Sequence, residues 1–192
     1  KQSKVGRLVN CGSSWQTSSG AGYAPFNLYA ATKEAAEAII AYHTQGRLFA
    51  TTLRLFDSYG PSDWRGKILN LIIWAARDGR SLEMSPGEQK LHLVHIDDLA
   101  RAFSRAVELT AAMKEPGHHI YSVPSTGSIS LRALVAELEL IGGCRMPVQF
   151  GCRPYRPGEI MDPTSAFPVL PGWQPQVPLR DGLRECLKLT LS

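Results

Sequence analysis

Residues 27–43, NLYAATKEAAEAIIAYH, carry the strongest structural signal in this chain. The segment is rich in Ala and Glu and has apolar residues at helical spacing, which predicts a helix. Residues four apart lie on the same face of a helix, so we expect Tyr29 beside Lys33. Free tyrosine, with a pKa of roughly 10, exchanges protons poorly at neutral pH, and a nearby cation stabilises its phenolate. The pair is a plausible general acid/base unit, although this spacing alone more often means a packed ring and a solvated charge.

Two short apolar segments flank the predicted helix. Residues 5–11, VGRLVNC, are typical of a buried parallel strand that a Gly-Ser-Ser turn ends, and residues 48–56, LFATTLRLF, predict a second strand. Residues 16–27 are interpreted as a loop, with Asn27 as the N-cap of a helix that ends near Gly46. Strand, helix and strand in this order predict a parallel βαβ unit. Open α/β sheets place their chemistry at the ends of such strands.

The composition is that of an ordinary globular protein. The 192 residues are 44% hydrophobic and 20% charged, which is enough apolar material for a sizeable core. The net charge of +4 suits an anionic small molecule as well as nucleic acid. The four cysteines lack a Cys-x-x-Cys pair, and we expect them to be reduced and mostly buried in a cytoplasmic protein. The histidines have no metal-ligand spacing, and neither a signal peptide nor a membrane-spanning apolar run is recognisable.

These segments and their surroundings resemble the NAD-dependent epimerase/dehydratase family, the branch of the extended short-chain dehydrogenases/reductases that acts on nucleotide sugars. The resemblance rests on CGSSWQ, NLYAATK, LRLFDSYGP, RGKILNL, GEQKLHLVHIDD and RPYRPGE. It implies an α/β fold, the C-terminal portion of a Rossmann-type doubly wound parallel sheet with a small α/β substrate-binding lobe. It assigns residues 1–60 and 118–142 to the partial dinucleotide-binding domain, and residues 61–117 and 143–192 to the nucleotide-sugar lobe.

The same resemblance implies a catalytic set. Tyr29 would pass a proton to or from the sugar 4-oxygen, and Lys33 would assist it and hold the nicotinamide ribose. Ser13 would orient the 4-oxygen, with Ser14 as the alternative. Backbone near Phe56 would meet the nicotinamide end of the cofactor. Considered without the Tyr-Lys pair, both serine hydroxyls are better explained as caps of a turn.

Substrate-binding residues follow from the resemblance as well. Asp57 stands where the family usually has Asn and would face the sugar nucleotide, although an Asx turn at a strand end explains it about as well. Arg156 matches an arginine that grips the diphosphate. Leu91 and His92 stand where many members have Arg and Asp, so that phosphate contact is missing or comes from another residue. Lys67 is one candidate, and a solvated surface lysine is the simpler interpretation of it.

The implied function is enzymatic: an NAD(P)-dependent nucleotide-sugar reductase or epimerase. The dideoxysugar branch of the family is most similar, which implies reduction of a CDP-4-keto-3,6-dideoxyhexose at C4 during bacterial O-antigen synthesis. NADPH is the usual donor there, and NAD is the alternative cofactor. Ser14-Trp15-Gln16 lack the acidic pair of the family's 4,6-dehydratases, so dehydration is disfavoured. The expected partner is a nucleotide sugar, rather than nucleic acid or a membrane, and the resemblance is compatible with a homodimer.

A complete family member opens with a strand, a glycine-rich turn and a helix that receive the cofactor pyrophosphate. No Gly-x-x-Gly-x-x-Gly occurs in this sequence. We therefore expect a fragment or truncated gene product that does not catalyse the reaction in isolation. The family residue that distinguishes NAD from NADP lies in the first part of the family's length, which has no counterpart in this sequence. A non-catalytic relic that retains the fold is the alternative.

Overall fold

The computed structural model describes residues 5–17 and 25–191. Its helices are α1 (Leu28–Thr44), α2 (Ile68–Arg77), α3 (Ile96–Ala112), α4 (Leu131–Gly142) and α5 (Leu179–Leu191), and a 3₁₀ turn covers Ser14–Gln16. Its strands are β1 (Arg7–Ser13), β2 (Phe49–Leu55), β3 (Asp57–Tyr59), β4 (Leu82–Met84), β5 (Lys90–Leu91), β6 (Leu93–His95), β7 (Gly117–Val123), β8 (Ile129–Ser130) and β9 (Val148–Phe150).

A parallel three-stranded sheet in the order β1-β2-β7 is the centre of the fold. Ser13 pairs in register with Leu55, and Leu55 pairs with Val123, so the three strands end level at one edge. The βαβ unit predicted from sequence is therefore confirmed. The first strand begins and ends two residues later than predicted, so Ser13 is its last residue and does not follow it.

Side chains of β2 alternate between two helices. Arg54 forms hydrogen bonds with Glu37 of α1, whereas Thr51 accepts a hydrogen bond from Thr110 of α3 at 2.7 Å. Leu53, fully buried, lies in the apolar core that includes α3 residues. Because successive strand residues point to opposite faces, α1 and α3 cover opposite faces of the sheet. This is the doubly wound arrangement that the sequence predicts.

A second apolar core joins α2, α4 and α5 to several of the short strands. Its fully or almost fully buried members include Leu69, Ile72, Leu131, Leu134, Leu138, Met146, Leu183 and Leu187. The Ser130 hydroxyl caps α4 by accepting the Ala133 N–H at 3.1 Å, and Gly143 ends that helix with φ 62°. The proposed division into two lobes stays a prediction, and α4 shares its core with α2 and α5.

The expectation that the cysteines are mostly buried was wrong. Cys144 and Cys152 are exposed, Cys11 is half-buried, and Cys186 is buried in α5. No disulfide joins these four residues. Burial raises the pKa of the Cys186 thiol to about 11, so this residue is an uncharged core side chain at neutral pH.

Asp98 ties the first turn of α3 to the segment that leads into α5. Its carboxylate accepts the backbone N–H of Gln176 at 2.7 Å and of Val177 at 3.1 Å, and it lies 2.5 Å from Arg101. Its carbonyl accepts the indole N–H of Trp173 at 3.0 Å. With the residue only 1% exposed, these contacts replace the water that the charge gives up.

We expect Asp98→Ala to lower the free energy of unfolding by about 3 kcal/mol, because it strands two buried N–H groups and removes the charge that faces Arg101. Asp97→Ala is the matched control, since the neighbouring side chain is 67% exposed and should change stability by less than about 0.5 kcal/mol. Urea denaturation followed by circular dichroism measures both variants. Similar losses of stability in the two variants would contradict this role of Asp98.

Candidate active site

The first two turns of α1 carry the predicted acid/base pair. The Asn27 side chain accepts the Ala30 N–H at 2.9 Å and caps the helix, as predicted. Tyr29, which is 51% exposed, lies just inside this cap, and the Lys33 ammonium lies 5.7 Å from the centre of its ring. The two side chains are therefore neighbours, with a positive charge beside the phenol.

A hydrogen bond joins Lys33 to the sheet. Its Nζ donates to the Cys11 carbonyl of β1 at 2.9 Å, two residues before Ser13. An ammonium group has three N–H donors, so two remain for other acceptors. The charge of Lys33 is thereby held near the edge of the sheet at which β1 ends.

Ser13 is a turn cap in this structure. Its hydroxyl accepts the Trp15 N–H at 3.2 Å, and its own N–H donates to Gln16 Oε1 at 2.7 Å, which together form a capping box. A hydroxyl that accepts one hydrogen bond still has a proton to donate, so capping leaves the predicted role open. Ser14, the alternative, is buried inside the 3₁₀ turn.

The loop predicted over residues 16–27 needs a correction. Gln16 is the last residue of the 3₁₀ turn and is buried, so the prediction was wrong at this position. Phe26 returns to the turn through a backbone hydrogen bond to Trp15 at 3.0 Å, and the two rings pack edge to face. Residues 18–24 of the predicted loop lie outside the described residues.

The rings of Phe56 and His92 pack against each other near the end of β2. Phe56 is buried directly after β2, and its ring centre lies 4.8 Å from that of His92. The His92 Nδ1 lies 2.9 Å from the hydroxyl of Ser125, which follows β7. Burial lowers the pKa of His92, so the imidazole is neutral at pH 7 and can share a hydrogen bond with the hydroxyl.

Asp57 and Lys67 are half-buried residues beyond β2, each within electrostatic reach of the other. Burial raises the pKa of Asp57, and the positive charge of Lys67 opposes this shift. Lys67 Nζ donates to the Ser58 carbonyl at 2.8 Å and to its hydroxyl at 2.7 Å, and burial lowers the Lys67 pKa. The interpretation of Lys67 as a solvated surface lysine was therefore wrong. One N–H donor remains for a ligand.

Arg65 is a nearby cation that the sequence analysis did not select. Two contacts of 2.7 Å join its guanidinium to the Asp63 carboxylate, and this interaction raises the Arg65 pKa. The Tyr29 phenol adds to the same shift, so the phenol lies within electrostatic reach of Arg65. Its position in Trp64-Arg65-Gly66-Lys67, just past a strand end, was the available signal.

A cleft of about 260 Å³ lies along this segment, lined by residues 58–65 and Ile96. That volume is below the usual range for a whole ligand site, so the cleft could enclose only part of a nucleotide sugar. The predicted site residues line neither this cleft nor two larger clefts, of about 450 and 470 Å³. Cleft volume therefore does not identify the active site.

Arg156 lies apart from the Tyr-Lys pair, in a turn that follows β9. The Glu159 N–H closes this turn on the Arg156 carbonyl at 3.0 Å. The exposed Arg156 guanidinium forms no ion pair or hydrogen bond with any described residue, whereas Arg153 faces Glu83 at 3.4 Å. Arg156 therefore keeps its charge available for an anionic ligand, but no contact links it to Tyr29 or Lys33.

Within residues 5–17 and 25–191, no three His, Cys, Asp or Glu side chains are grouped so that they could hold a metal ion. In the same ranges, no helix has both the length and the apolar character required to cross a membrane.

Comparison with known families identifies the scaffold. The model of the NAD dependent epimerase/dehydratase family matches residues 1–123, which include the Tyr-Lys pair and the ends of β1 and β2. The chain belongs to this family. The resemblance seen in the sequence motifs is thereby confirmed, and the family is NAD-dependent.

Two curated relatives are CDP-abequose synthases. The chain is 42% identical to the Yersinia pseudotuberculosis protein over 103 residues, which are 53% of this chain and 36% of that protein. It is 23% identical to the Salmonella muenchen protein over 139 residues, 71% of this chain and 46% of that one. The chain thus spans less than half the length of the curated relatives it matches.

Solved structures share the fold over nearly the whole chain. MoeE5 in complex with UDP-glucose and NAD superposes with a TM-score of 0.81 at 25% identity, covering 97% of this chain and 65% of that chain. UDP-glucuronic acid 4-epimerase from Bacillus cereus, solved with UDP-glucuronic acid and NAD, also gives 0.81, at 20% identity with 97% and 62% covered. The Rossmann-type fold predicted from sequence is thereby confirmed.

The buried carboxyl of Asp57 should leave a signature in the pH dependence of stability. A carboxyl with a raised pKa in the folded state loses its stabilising effect as pH rises above the ordinary Asp value of about 3.9, at about 1.4 kcal/mol per pH unit until the folded pKa is reached. Asp57→Asn cannot ionise, so we expect it to be more stable than the wild type at pH 7. The advantage should shrink towards pH 4.

Asp78→Asn is a control for which we expect the opposite change in stability. Hydrogen bonds from Arg77, which has the larger effect, and from Arg80 lower the pKa of Asp78. Removal of the Asp78 carboxylate should therefore reduce stability at pH 7. Urea unfolding at pH 4, 5, 6 and 7 measures both series. An Asp57→Asn variant that is less stable than the wild type at pH 7 would show that Lys67 outweighs burial.

Proposed function

We propose that the protein is an NAD(P)-dependent nucleotide-sugar oxidoreductase that reduces a CDP-4-keto-3,6-dideoxyhexose at C4. The observation that carries the proposal is the position of Lys33. Its ammonium bonds the Cys11 carbonyl near the end of β1 and lies 5.7 Å from the centre of the Tyr29 ring. An acid/base phenol, a cation and the Ser13 hydroxyl therefore belong to one edge of a parallel sheet, where such sheets bind ligands.

The choice of a CDP-linked substrate rests on the relatives. Identity to the Yersinia pseudotuberculosis CDP-abequose synthase is 42%, against 25% for MoeE5 with UDP-glucose. Ser14-Trp15-Gln16 offer no acidic group beside Ser13, which disfavours elimination of water. We accordingly propose a 4-ketoreductase that acts in the cytoplasm in O-antigen synthesis.

The residues at the strand ends fit the nicotinamide end of a dinucleotide. Lys33 has two N–H donors beyond its bond to Cys11, enough to hold a ribose hydroxyl, and half-exposed Tyr29 is accessible beside it. The backbone near buried Phe56 would form the wall against the ring. When bound, the cofactor supplies the hydride. We propose NADPH as the donor, with NADH as the alternative that the family's NAD dependence supports.

In this proposal, side chains of this protein supply the proton that the sugar 4-oxygen gains. Tyr29 would donate its phenolic proton to the 4-oxygen as that oxygen gains negative charge. The positive charge of Lys33 would stabilise the phenolate that remains. The Ser13 hydroxyl, which uses a lone pair to cap the turn, would donate its proton to the same oxygen and orient it.

Substrate binding is assigned to the other predicted residues. The unpaired guanidinium of Arg156 would grip the diphosphate, and the remaining N–H of Lys67 would add a contact. Asp57 would face the sugar. In this scheme, residues 1–60 and 118–142 serve the cofactor, and residues 61–117 and 143–192 serve the nucleotide sugar.

A 4-epimerase is the second candidate, supported by the TM-score of 0.81 with the Bacillus cereus UDP-glucuronic acid 4-epimerase. The two activities differ in stoichiometry. A reductase consumes one NADPH per sugar reduced, whereas an epimerase returns its cofactor unchanged. The test uses an enzyme that joins this chain to the glycine-rich βα unit of the family. Its incubation with a CDP-4-keto-3,6-dideoxyhexose and NADPH, followed by NADPH absorbance and by separation of the sugar nucleotides, discriminates between them. Conversion between two CDP-sugars without consumption of NADPH would overturn the reductase proposal.

In an enzyme that joins this chain to the glycine-rich βα unit of the family, Tyr29→Phe should lower kcat by about 10²–10⁴-fold and leave cofactor affinity nearly unchanged, because the phenolic proton is lost while the ring stays. Tyr42→Phe, on the exposed side of the same helix, is the matched control and should retain full activity. Steady-state rates and NADPH fluorescence titrations measure both variants. Activity of Tyr29→Phe within a factor of about three of the wild type would remove Tyr29 from the mechanism.

Arg156→Ala should weaken binding of a CDP-sugar by about 1.5–3 kcal/mol, or roughly 10–150-fold, because a charge-assisted phosphate contact is lost. Cofactor binding should not change. Arg153→Ala is the control, since that residue already faces Glu83. Isothermal titration of both variants tests the assignment, and an effect confined to Arg153→Ala would mean that the wrong arginine was chosen.

A further inference from the structure

A buried polar network lies directly behind the candidate catalytic residues. Gln16 is 0% exposed, and its Oε1 accepts the Ser13 N–H at 2.7 Å. Its Nε2 donates to Glu34 at 2.8 Å and to Glu37 at 2.9 Å, both on α1. A single amide side chain thus joins the turn that carries Ser13 to the helix that carries Tyr29.

Arg54 of β2 completes this network from the sheet. Its Nε and Nη2 donate to the two oxygens of Glu37 at 3.1 and 2.6 Å, and Nη2 also reaches Glu34 at 2.8 Å. The residue is 2% exposed, and its guanidinium carbon lies 4.4 Å from the centre of the Phe167 ring. This two-point fork fixes orientation as well as distance.

We propose that Gln16 and Arg54 are positioning residues of this active site. They hold the Ser13 turn and the Tyr29–Lys33 face of α1 in one fixed relation to each other. The inference rests on the proposed function, since it assigns these residues a role in orienting the groups that act on the sugar 4-oxygen. Neither residue touches substrate or cofactor in this role.

The network is placed where a small displacement matters. Catalytic groups must be held within about 0.5 Å of their productive geometry, and a displacement of about 1 Å can cost 10²-fold in rate. Gly12 lies against the network so closely that a Cβ there would come within 2.8 Å of Gln16 Oε1 and 2.9 Å of Glu37 Oε1. The side-chain amide therefore packs directly on the backbone that precedes Ser13.

Stability alone does not account for this choice of residues. Charges buried from water cost several kcal/mol each, and well-packed apolar residues often replace a buried ion pair without loss. Here two carboxylates share one guanidinium and the amide of Gln16, while Arg54 Nη1 is buried without a hydrogen-bond partner among the described residues. Such an arrangement has one low-energy geometry, which is the property a positioning element requires.

The first test is Gln16→Met, made in an enzyme that joins this chain to the family's glycine-rich βα unit; it keeps the side-chain length and removes every hydrogen bond of the Gln16 amide. We expect kcat to fall by roughly 10–100-fold while KM for the CDP-4-keto sugar changes by less than about threefold. In a Tyr29→Phe background the same substitution should lower kcat by less than about twofold further, because the group it positions is already gone. Gln45→Met, at the exposed end of α1, is the control for a Gln-to-Met change and should behave as the wild type.

A second pair of variants keeps the test decisive if Gln16→Met folds poorly, as thermal unfolding will reveal. Arg54→Lys preserves the charge but loses the fork, and kcat should again fall with KM nearly constant. Arg54→Met should be worse than Arg54→Lys. Arg180→Lys is the matched control, because Arg180 makes a similar two-point contact with Glu137, at 3.1 and 3.2 Å, on the exposed surface.

The outcomes separate the two proposals. Wild-type kcat in Gln16→Met and Arg54→Lys overturns the positioning role, and so does an equal fold loss with and without the Tyr29 hydroxyl, which would mean a purely structural effect. If Tyr29→Phe lowers kcat by at least about 10²-fold, the proposed function stays in place after either of these two results. Full activity of Tyr29→Phe overturns the proposed function and the positioning role together.

Discussion

The fork between Arg54 and Glu37 is the contact on which the rest of this structure depends. It joins the central strand of the sheet to the helix that carries the acid/base pair, and both partners are almost fully buried. A buried charge without a partner is strongly unfavourable, so α1 cannot slide or rotate on the sheet without breaking the fork. The positions of Tyr29 and Lys33 relative to the strand ends follow from this constraint.

The sheet supplies the second constraint. Because β1, β2 and β7 are parallel and end in register, the residues that follow each strand meet at one edge. Ser13, Phe56 and Ser125 come to this edge by topology, although they lie far apart in sequence. The Lys33 bond to the Cys11 carbonyl then brings a cation from the helix to the same edge. Strand ends and one helix face together determine where the chemistry can take place.

Local signals were sufficient to predict the framework. Helical spacing placed Tyr29 beside Lys33, Asn27 was identifiable as a cap, and two apolar runs on either side predicted the βαβ unit. The short strands β3, β4, β5, β6 and β8 were missed because two or three residues are too few for a recognisable period. The exposure of Cys144 and Cys152 was missed because residue type gives only an average tendency towards burial.

The positioning network could not be predicted from local sequence. Arg54 lies 17 residues from Glu37, and only the packing of α1 on β2 brings the two together. Gln16 was interpreted as part of a loop because glutamine has no strong turn preference, and its capping role depends on two carboxylates that come from another element. For the same reason, Lys67 was interpreted as a solvated lysine. Its burial follows from the approach of Ser58, which tertiary structure alone determines.

The surroundings of Lys67 have a consequence for phosphate binding. Two of the Lys67 donors are engaged by Ser58, and the ionised form of Asp57 balances its positive charge. Arg65 is likewise paired with Asp63. Among the cations considered for the diphosphate, Arg156 alone has neither an ion pair nor a side-chain hydrogen bond with a described residue. In the proposed enzyme, the attraction for a doubly charged diphosphate would therefore come chiefly from the Arg156 turn, and Lys67 would contribute a directed hydrogen bond more than a net charge.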